Sequence, residues 1–136
     1  MSAGYSRKSL LQKLGIKGGF KIAIINAPLD YEKKLKLPNN VSVNSKTPEG
    51  GFDFVHYFTV DYDRLGLEFP KLKKKISKNG MIWISWPKRT SNEKTDLNDN
   101  QVRKIGLGNG MVDVKVAAID ETWSGLKFVF RIKDRK

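Results

Sequence analysis

Three short, nearly continuous apolar segments alternate with helical patterns along this chain, and this alternation constrains the fold more than any other feature. The segments are residues 20–26, 52–59 and 81–86. A strand that is apolar on both faces belongs inside a parallel sheet, because helices cover both faces of such a sheet. The pattern therefore predicts βα units arranged around a parallel sheet.

The C-terminal strands differ from these three. Residues 112–118 and 126–132 alternate apolar with polar side chains, which is typical of strands with one more exposed face. Residues 120–125 between them are short enough for a hairpin, so the final strand should run antiparallel. With a weak strand at 41–43, we predict an α/β fold. It is a three-layer, Rossmann-like, mostly parallel sheet of about six strands with an antiparallel C-terminal hairpin, forming one domain over residues 1–136.

Two short helices are predicted in the N-terminal part of the chain. Ser6 is placed to cap the first helix, and Gly15 fits the left-handed position that follows its end. Asp30 is placed to cap the second helix, which ends before Pro38.

A longer helix is predicted from Asp61, with a break or restart at Pro70 and an end at Asn79-Gly80. The lysine-rich run over residues 71–78 is interpreted as the solvated face of this helix. In the next helix, Asn98 and Gln101 have capping-box spacing.

That last helix also has Leu97 and Val102 at the positions of a hydrophobic staple. We predict that the three glycines at positions 106, 108 and 110 end it.

Composition excludes several kinds of chemistry and favours others. The chain has no cysteine and one histidine, His56, which excludes disulfides, thiolate metal sites, cysteine nucleophiles and histidine clusters. The N-terminus has no long apolar run, so we expect no signal peptide, no membrane association and a cytoplasmic location. The net charge of +12 attracts polyanions, so we expect an anionic small molecule or a nucleic acid as the partner. We also expect the protein to be a monomer.

Ligands of an open α/β sheet bind beyond the carboxyl ends of its parallel strands. The loops predicted there are 26–28, 60–61, 86–89 and 120–125. The candidate ligand-binding residues of this edge are Asn26, Pro28, Trp86, Lys88, Arg89, Asp96, Trp123 and Ser124.

Three of these candidates, Trp86, Trp123 and Asp96, have a structural alternative. Trp86 beside Lys88 and Arg89 would stack a flat ligand and hold a phosphate, or it packs under the following loop. Trp123 forms a wall of the cleft or caps the core from outside. Asp96 joins other carboxylates as a base or metal ligand, or it caps a turn.

His56 lies in the middle of an apolar strand, where a structural histidine is expected rather than a catalytic one. Ser85 has no histidine in a nearby motif, so no serine nucleophile is expected and no catalytic residue is assigned.

Parts of the chain resemble known families. Residues 52–55, the following helix, residues 72–77 and residues 79–85 resemble the fourth and fifth strands of class I methyltransferases, and the final hairpin is similar to theirs. Nearly the whole chain also resembles a family of small bacterial proteins described as a domain of unknown function. The residues that carry this likeness are Ala3-Gly4-Tyr5-Ser6, Asn26-Ala27-Pro28, Ser85-Trp86-Pro87-Lys88, Thr95-Asp96-Leu97 and Trp123-Ser124-Gly125-Leu126-Lys127. The resemblance implies a methyltransferase-like fold and no particular activity.

The chain departs from the methyltransferase cofactor site at two positions. Those enzymes have a Gly-rich turn after the first strand, where this chain has Asn26-Ala27-Pro28-Leu29. They have an acidic residue at the end of the second strand, where this chain has Val43-Asn44-Ser45-Lys46, and Lys46 suits a phosphate better than a ribose diol. No Gly-rich phosphate loop is present either. These departures argue against S-adenosylmethionine as a cofactor.

We therefore expect a non-enzymatic binding or regulatory domain that takes an anionic ligand or partner at the carboxyl edge of the sheet. One alternative is a divergent enzyme dependent on S-adenosylmethionine or a nucleotide. The other is a nucleic-acid-binding protein that uses the lysine-rich helix and exposed tryptophans.

Overall fold

The computed structural model describes residues 8–47 and 49–135 and shows one six-stranded sheet. The strands are β1 (Lys21–Ile25), β2 (Ser42–Asn44), β3 (Phe52–Phe58), β4 (Ile76–Pro87), β5 (Met111–Ala118) and β6 (Trp123–Phe130). Their order in the sheet is β2-β1-β3-β4-β6-β5. The first four neighbours pair in parallel, and β6 runs antiparallel to both β4 and β5. The predicted mostly parallel sheet with an antiparallel C-terminal hairpin is therefore confirmed.

Helices cover both faces of the sheet, as a parallel sheet of apolar strands requires. They are α1 (Leu10–Leu14), α2 (Tyr31–Leu35), α3 (Tyr62–Lys73) and α4 (Asp99–Gly108), followed by a short 3₁₀ helix, Ile132–Arg135. One core cluster contains Leu14 of α1 and Leu35 of α2. The other contains Leu65 of α3 and Val102 of α4. This arrangement confirms the predicted three layers.

The cap of the first helix lies three residues later than predicted. Ser9 caps α1 in a capping box with Gln12, while Ser6 lies outside the described residues. Gly15 follows α1 with φ of 85°, so the predicted left-handed position is correct. Asp30 occupies the N-cap position of α2, but its side chain makes no capping hydrogen bond.

Helix α3 continues through Pro70, so the predicted break is wrong. A proline inside a helix removes one N–H donor and crowds the carbonyl four residues earlier. That carbonyl belongs to Gly66, which is exposed and has open space where a side chain would be. Water can therefore satisfy the Gly66 carbonyl, and the helix tolerates Pro70.

Strand β4 begins five residues earlier than predicted and includes Asn79-Gly80, which were expected to end the preceding helix. The pairing with β3 shifts register here, from Phe52 opposite Ile76 to Phe54 opposite Met81. A Cβ at Gly80 would lie 2.8 Å from the Phe52 carbonyl oxygen, so this close approach requires glycine. Since α3 ends at Lys73, most of the lysine-rich run lies beyond it and does not form a helix face.

Helix α4 has the start that the sequence predicts. The side chains and backbones of Asn98 and Gln101 form the reciprocal capping box. Leu97 and Val102 are both buried in the same core cluster. The predicted end is wrong in part, because the glycines at 106 and 108 lie inside α4 and only Gly110 follows it with φ of 83°.

Candidate functional site

A topological switch point lies between β1 and β3. Strand β1 pairs in parallel with β2 on one side and with β3 on the other. The connection after β1 leads to β2, and the connection after β2 crosses back over β1 to β3, so the strand order reverses here. Such a reversal opens a crevice at the carboxyl ends of the strands, where ligands bind. A pocket of about 320 Å³ occupies this crevice, and we call it the switch-point pocket. Its walls include Asn26, Tyr57, Thr59, Asp61, Arg64 and Trp123.

Asn26, directly after β1, bends the chain into the turn that lines the pocket. Its φ of 61° is left-handed, a conformation that glycine adopts freely and that Asn tolerates better than most residues. The residue is exposed and contributes to the pocket wall. The turn therefore reaches a glycine-like conformation without a glycine.

The start of α3 supplies charged groups to the pocket. Asp61 caps this helix, because its Oδ1 accepts a hydrogen bond from the Arg64 N–H at 3.0 Å. The Asp61 N–H in turn donates to Thr59 Oγ1 at 3.3 Å. The Arg64 guanidinium lies 3.7 Å from the Glu68 carboxylate. A carboxylate and a guanidinium therefore line the same pocket, and either can meet a ligand of opposite charge.

Tyr57 places a phenol in the wall of the switch-point pocket. Burial raises the pKa of Tyr57 and Glu68 adds to the rise, whereas Arg64 and Thr59 oppose it. The phenol therefore stays protonated at neutral pH and can donate a hydrogen bond to a ligand.

Trp123 closes the pocket from the hairpin. It is the first residue of β6, opposite Pro87, rather than part of the predicted loop. Its ring packs edge-on against Phe58, with the ring centres 5.3 Å apart. The turn before it is fixed by Asp120, whose Oδ1 accepts hydrogen bonds from the Thr122 N–H at 2.8 Å and the Trp123 N–H at 2.7 Å. Half-buried Trp123 thus forms a pocket wall and also covers the core.

A larger cavity of about 880 Å³ lies at the carboxyl end of β4, and we call it the β4 groove. Trp86 and Ser124 of the paired strands, together with Val116 of β5, contribute to its wall. Its charged residues are Lys88, Arg89, Glu93, Lys94, Asp96 and Asp99. Three of these are cations and three are anions, so the groove lacks the excess positive charge expected of a site for a simple anion.

Trp86 packs under the loop that follows it, as its structural alternative predicts. It is 5% exposed and belongs to the core cluster on the α3–α4 face, with Leu97. Trp123 packs against the cluster on the α1–α2 face. The sheet therefore separates the two tryptophans that the sequence placed in one cleft.

Asp96 ties the loop after β4 to the start of α3. Its Oδ1 accepts a hydrogen bond from the Tyr62 N–H at 2.8 Å, and the neighbouring Thr95 hydroxyl donates to the Val60 carbonyl at 2.8 Å. The Asp96 carboxylate thus stabilises the start of α3, and it does not cap the turn before α4 that its structural alternative names. No group of three potential metal-ligating side chains occurs among residues 8–47 and 49–135, so Asp96, Asp120 and Glu121 form no such cluster.

Seven of the eight candidate ligand-binding residues are divided between two cavities. Asn26 and Trp123 line the switch-point pocket, and Pro28 lines neither cavity. The β4 groove contains Trp86, Lys88, Arg89, Asp96 and Ser124. The sequence did not identify Tyr57 and Arg64 as pocket residues. Tyr57 lies within an apolar strand, and Arg64 lies in the first turn of α3, so neither stands out as a ligand-binding residue.

His56 is a structural histidine, as predicted, with a hydrogen bond at each ring nitrogen. Nδ1 bonds the Tyr31 hydroxyl, and Nε2 lies 2.7 Å from Ser85 Oγ. The expectation that Ser85 has no histidine partner is therefore wrong, because β3 and β4 are adjacent strands. Both residues are fully buried, which makes Ser85 inaccessible as a nucleophile. Burial lowers the pKa of His56 to about 3, so the ring is neutral at physiological pH.

In the part of the chain that the structure describes, no helix combines the length and the apolar character needed to cross a membrane. Cytoplasmic location and a monomeric state stay predictions.

Comparison with known proteins supports the fold. A SAM-dependent methyltransferase from Aquifex aeolicus aligns with a TM-score of 0.65 and 15% identity, over 88% of this chain and 86% of that chain. Magnesium protoporphyrin IX methyltransferase from Synechocystis PCC 6803, with bound SAH, aligns with a TM-score of 0.58 and 11% identity, over 90% and 78%. A TehB-like SAM-dependent methyltransferase from Corynebacterium glutamicum aligns with a TM-score of 0.55 and 8% identity, over 95% and 91%. No family model and no curated protein matches the sequence.

These structures correct two expectations. The Synechocystis enzyme has also been solved with bound SAM, that is, S-adenosylmethionine. The expectation that argued against this cofactor is therefore wrong, and so is the preference for a non-enzymatic binding domain over a cofactor-dependent enzyme. At these identities the likeness establishes a methyltransferase-like, Rossmann-like fold. Membership of the small bacterial family stays a prediction.

Proposed function

We propose that this chain is a divergent S-adenosylmethionine-dependent methyltransferase that binds the cofactor in the switch-point pocket. The observation that carries the proposal is the position of this pocket, at the reversal between β1 and β3 in a sheet of methyltransferase type. The structural similarity to methyltransferases supports methyl transfer as the reaction class. The residues that line the pocket support S-adenosylmethionine as the ligand.

The residues of the switch-point pocket fit the chemical groups of S-adenosylmethionine. Its amino acid part carries an ammonium and a carboxylate, which suit Asp61 and Arg64. Its sulfonium and its flat adenine suit aromatic walls, here Tyr57 and Trp123. The volume of about 320 Å³ lies within the range of small-molecule sites, which begins near 300 Å³.

The two departures from the methyltransferase pattern have local substitutes. Asn26 adopts the left-handed turn that a glycine would provide after β1. Asn44, at the end of β2, donates its amide N–H to the Ile22 carbonyl at 3.2 Å, which leaves its Oδ1 as an acceptor for a ribose hydroxyl. Asn44 thereby offers the hydrogen bond, though not the charge, of the usual acidic residue.

The bound cofactor would supply an electrophilic methyl group for a nucleophilic atom of an acceptor molecule. We assign the acceptor to the β4 groove, because the hydrogen bonds of Thr95 and Asp96 to the turn after β3 make the two cavities neighbours. The mixed charges of Lys88, Arg89 and Asp96 suit an acceptor that carries polar groups of both signs.

Calorimetric titration with S-adenosylhomocysteine tests the cofactor site. Asp61→Asn keeps the helix cap, because Asn and Asp cap equally well, but it removes the negative charge from the pocket. We expect its affinity to fall by about tenfold or more, the effect of one lost charge-assisted hydrogen bond. Asp63→Asn is the matched control, since Asp63 is exposed in the first turn of the same helix. Equal affinities of the two variants, or no binding by the wild-type protein at millimolar ligand, would contradict the proposal.

A further inference from the structure

Two lysines face each other across the C-terminal hairpin. Lys115 of β5 is the register partner of Lys127 of β6, and like charges in this position destabilise an antiparallel pair. Both side chains are half-buried. Burial lowers the pKa of Lys127, and the nearby charges of Lys115 and Lys17 lower it further. The ammonium group of Lys127 is therefore close to two other ammonium groups, those of Lys115 and Lys17.

Only part of this arrangement has a partner among the residues that the structure describes. Lys115 Nζ donates to the Lys13 carbonyl at 2.9 Å, near the end of α1. Lys127 Nζ lies beside Gly15, 3.6 Å from where a Cβ of that residue would be. Within residues 8–47 and 49–135, the ammonium groups of Lys17 and Lys127 have no hydrogen-bond or ion-pair partner. None of residues 1–29 is Asp or Glu, so this segment brings no neutralising carboxylate.

Such a cluster is stabilised by an anion that neutralises it and accepts hydrogen bonds from several donors at once. A phosphate group has the required oxygens and charge. We propose that Lys17, Lys115 and Lys127 form a phosphate-binding site on the α1–α2 face of the sheet, distinct from the switch-point pocket. The phosphate belongs either to the backbone of a single-stranded nucleic acid or to a small phosphorylated molecule.

The position of this site relates it to the pocket. Trp123 and Lys127 lie on β6 four residues apart, and side chains at this even spacing share one face, about 14 Å apart along the strand. A nucleic acid strand held at Lys127 therefore passes close to the switch-point pocket. The phosphate site does not depend on the proposed cofactor, and it is tested without it.

Binding of a fluorescent, short single-stranded RNA at several salt concentrations tests the site. We expect Lys127→Gln and Lys17→Gln each to weaken binding about tenfold and to lower the salt slope by about one. Lys104→Gln is the control, because it removes one charge from an exposed position of α4 on the opposite face. Lys127→Arg retains the charge and should retain binding.

Titration with inorganic phosphate, followed by amide NMR shifts, distinguishes the two sources. Saturable shifts at Lys17 and Lys127 without an effect of Lys127→Gln on RNA affinity would assign the site to a small phosphorylated molecule. Loss of RNA affinity in that variant would assign it to nucleic acid. The proposal would be overturned if Lys127→Gln bound RNA as tightly as Lys104→Gln and inorganic phosphate caused no shifts at the amides of Lys17 and Lys127. Thermal melting checks the fold of each variant, and exposed Lys17→Gln carries the test if Lys127→Gln does not fold. Unchanged S-adenosylhomocysteine affinity of Lys127→Gln keeps this test separate from that of the cofactor site.

Discussion

Gly106 lies where α4 packs most closely on the sheet. A Cβ at this position would lie 2.0 Å from Cε1 and 2.5 Å from Cδ1 of Phe128. The Phe128 ring is fully buried and packs edge-on against Phe69, with the ring centres 5.3 Å apart, so its displacement would disturb the core. Gly106→Ala gains about 1 kcal/mol from helix propensity. Overpacking costs about 3 kcal/mol when the overlap is this severe. We expect the free energy of unfolding to fall by about 2 kcal/mol.

Urea unfolding followed by far-ultraviolet circular dichroism measures this change. Gly108→Ala is the matched control in the same helix, because Gly108 is exposed and a Cβ there would meet nothing within 4 Å. Helix propensity alone should raise its free energy of unfolding by up to about 1 kcal/mol. If Gly106→Ala proved as stable as Gly108→Ala, the packing of α4 against Phe128 would be wrong.

Two further changes probe the supports of the site. The pKa of His56 in the folded protein, about 3, lies below the ordinary value near 6.5. The stability that the neutral His56 ring contributes is therefore complete above about pH 6.5 and is lost as the pH falls toward 3. The free energy of unfolding from urea denaturation should decline by about 1.4 kcal/mol per pH unit in this window, and His56→Gln should show a flatter profile. Asp120→Ala removes both turn hydrogen bonds before Trp123 and should cost about 1–2 kcal/mol in urea unfolding, whereas exposed Glu121→Ala should change little. Equal stability of these two variants would contradict the role of Asp120.

The sheet could be predicted from the sequence because its determinants are local. Continuous apolar runs specify buried parallel strands, and the Asn98–Gln101 spacing specifies the start of α4. The errors arose where tertiary contacts overrule local preference. Pro70 is tolerated because Gly66 is open to water, and Gly80 belongs to a strand because the Phe52 backbone approaches it.

The candidate site was predictable only in part. The prediction that these strands end at one edge of the sheet was correct, since β1, β3, β4 and β5 all run in the same direction. The alternation of side chains along the paired strands β4 and β6 placed Trp86 and Trp123 on opposite faces, which chain order alone does not reveal. The switch-point pocket depends on which strands are neighbours, so Tyr57 and Arg64 could be identified only from the structure.

Amide NMR shifts during titration with S-adenosylhomocysteine test the central claim most directly. If the crevice between β1 and β3 binds the cofactor, the largest shifts will occur at Asn26, at residues 59–61 and at the Trp123 indole. Shifts confined to residues 88–99 of the β4 groove, or no shifts at millimolar ligand, would contradict the assignment.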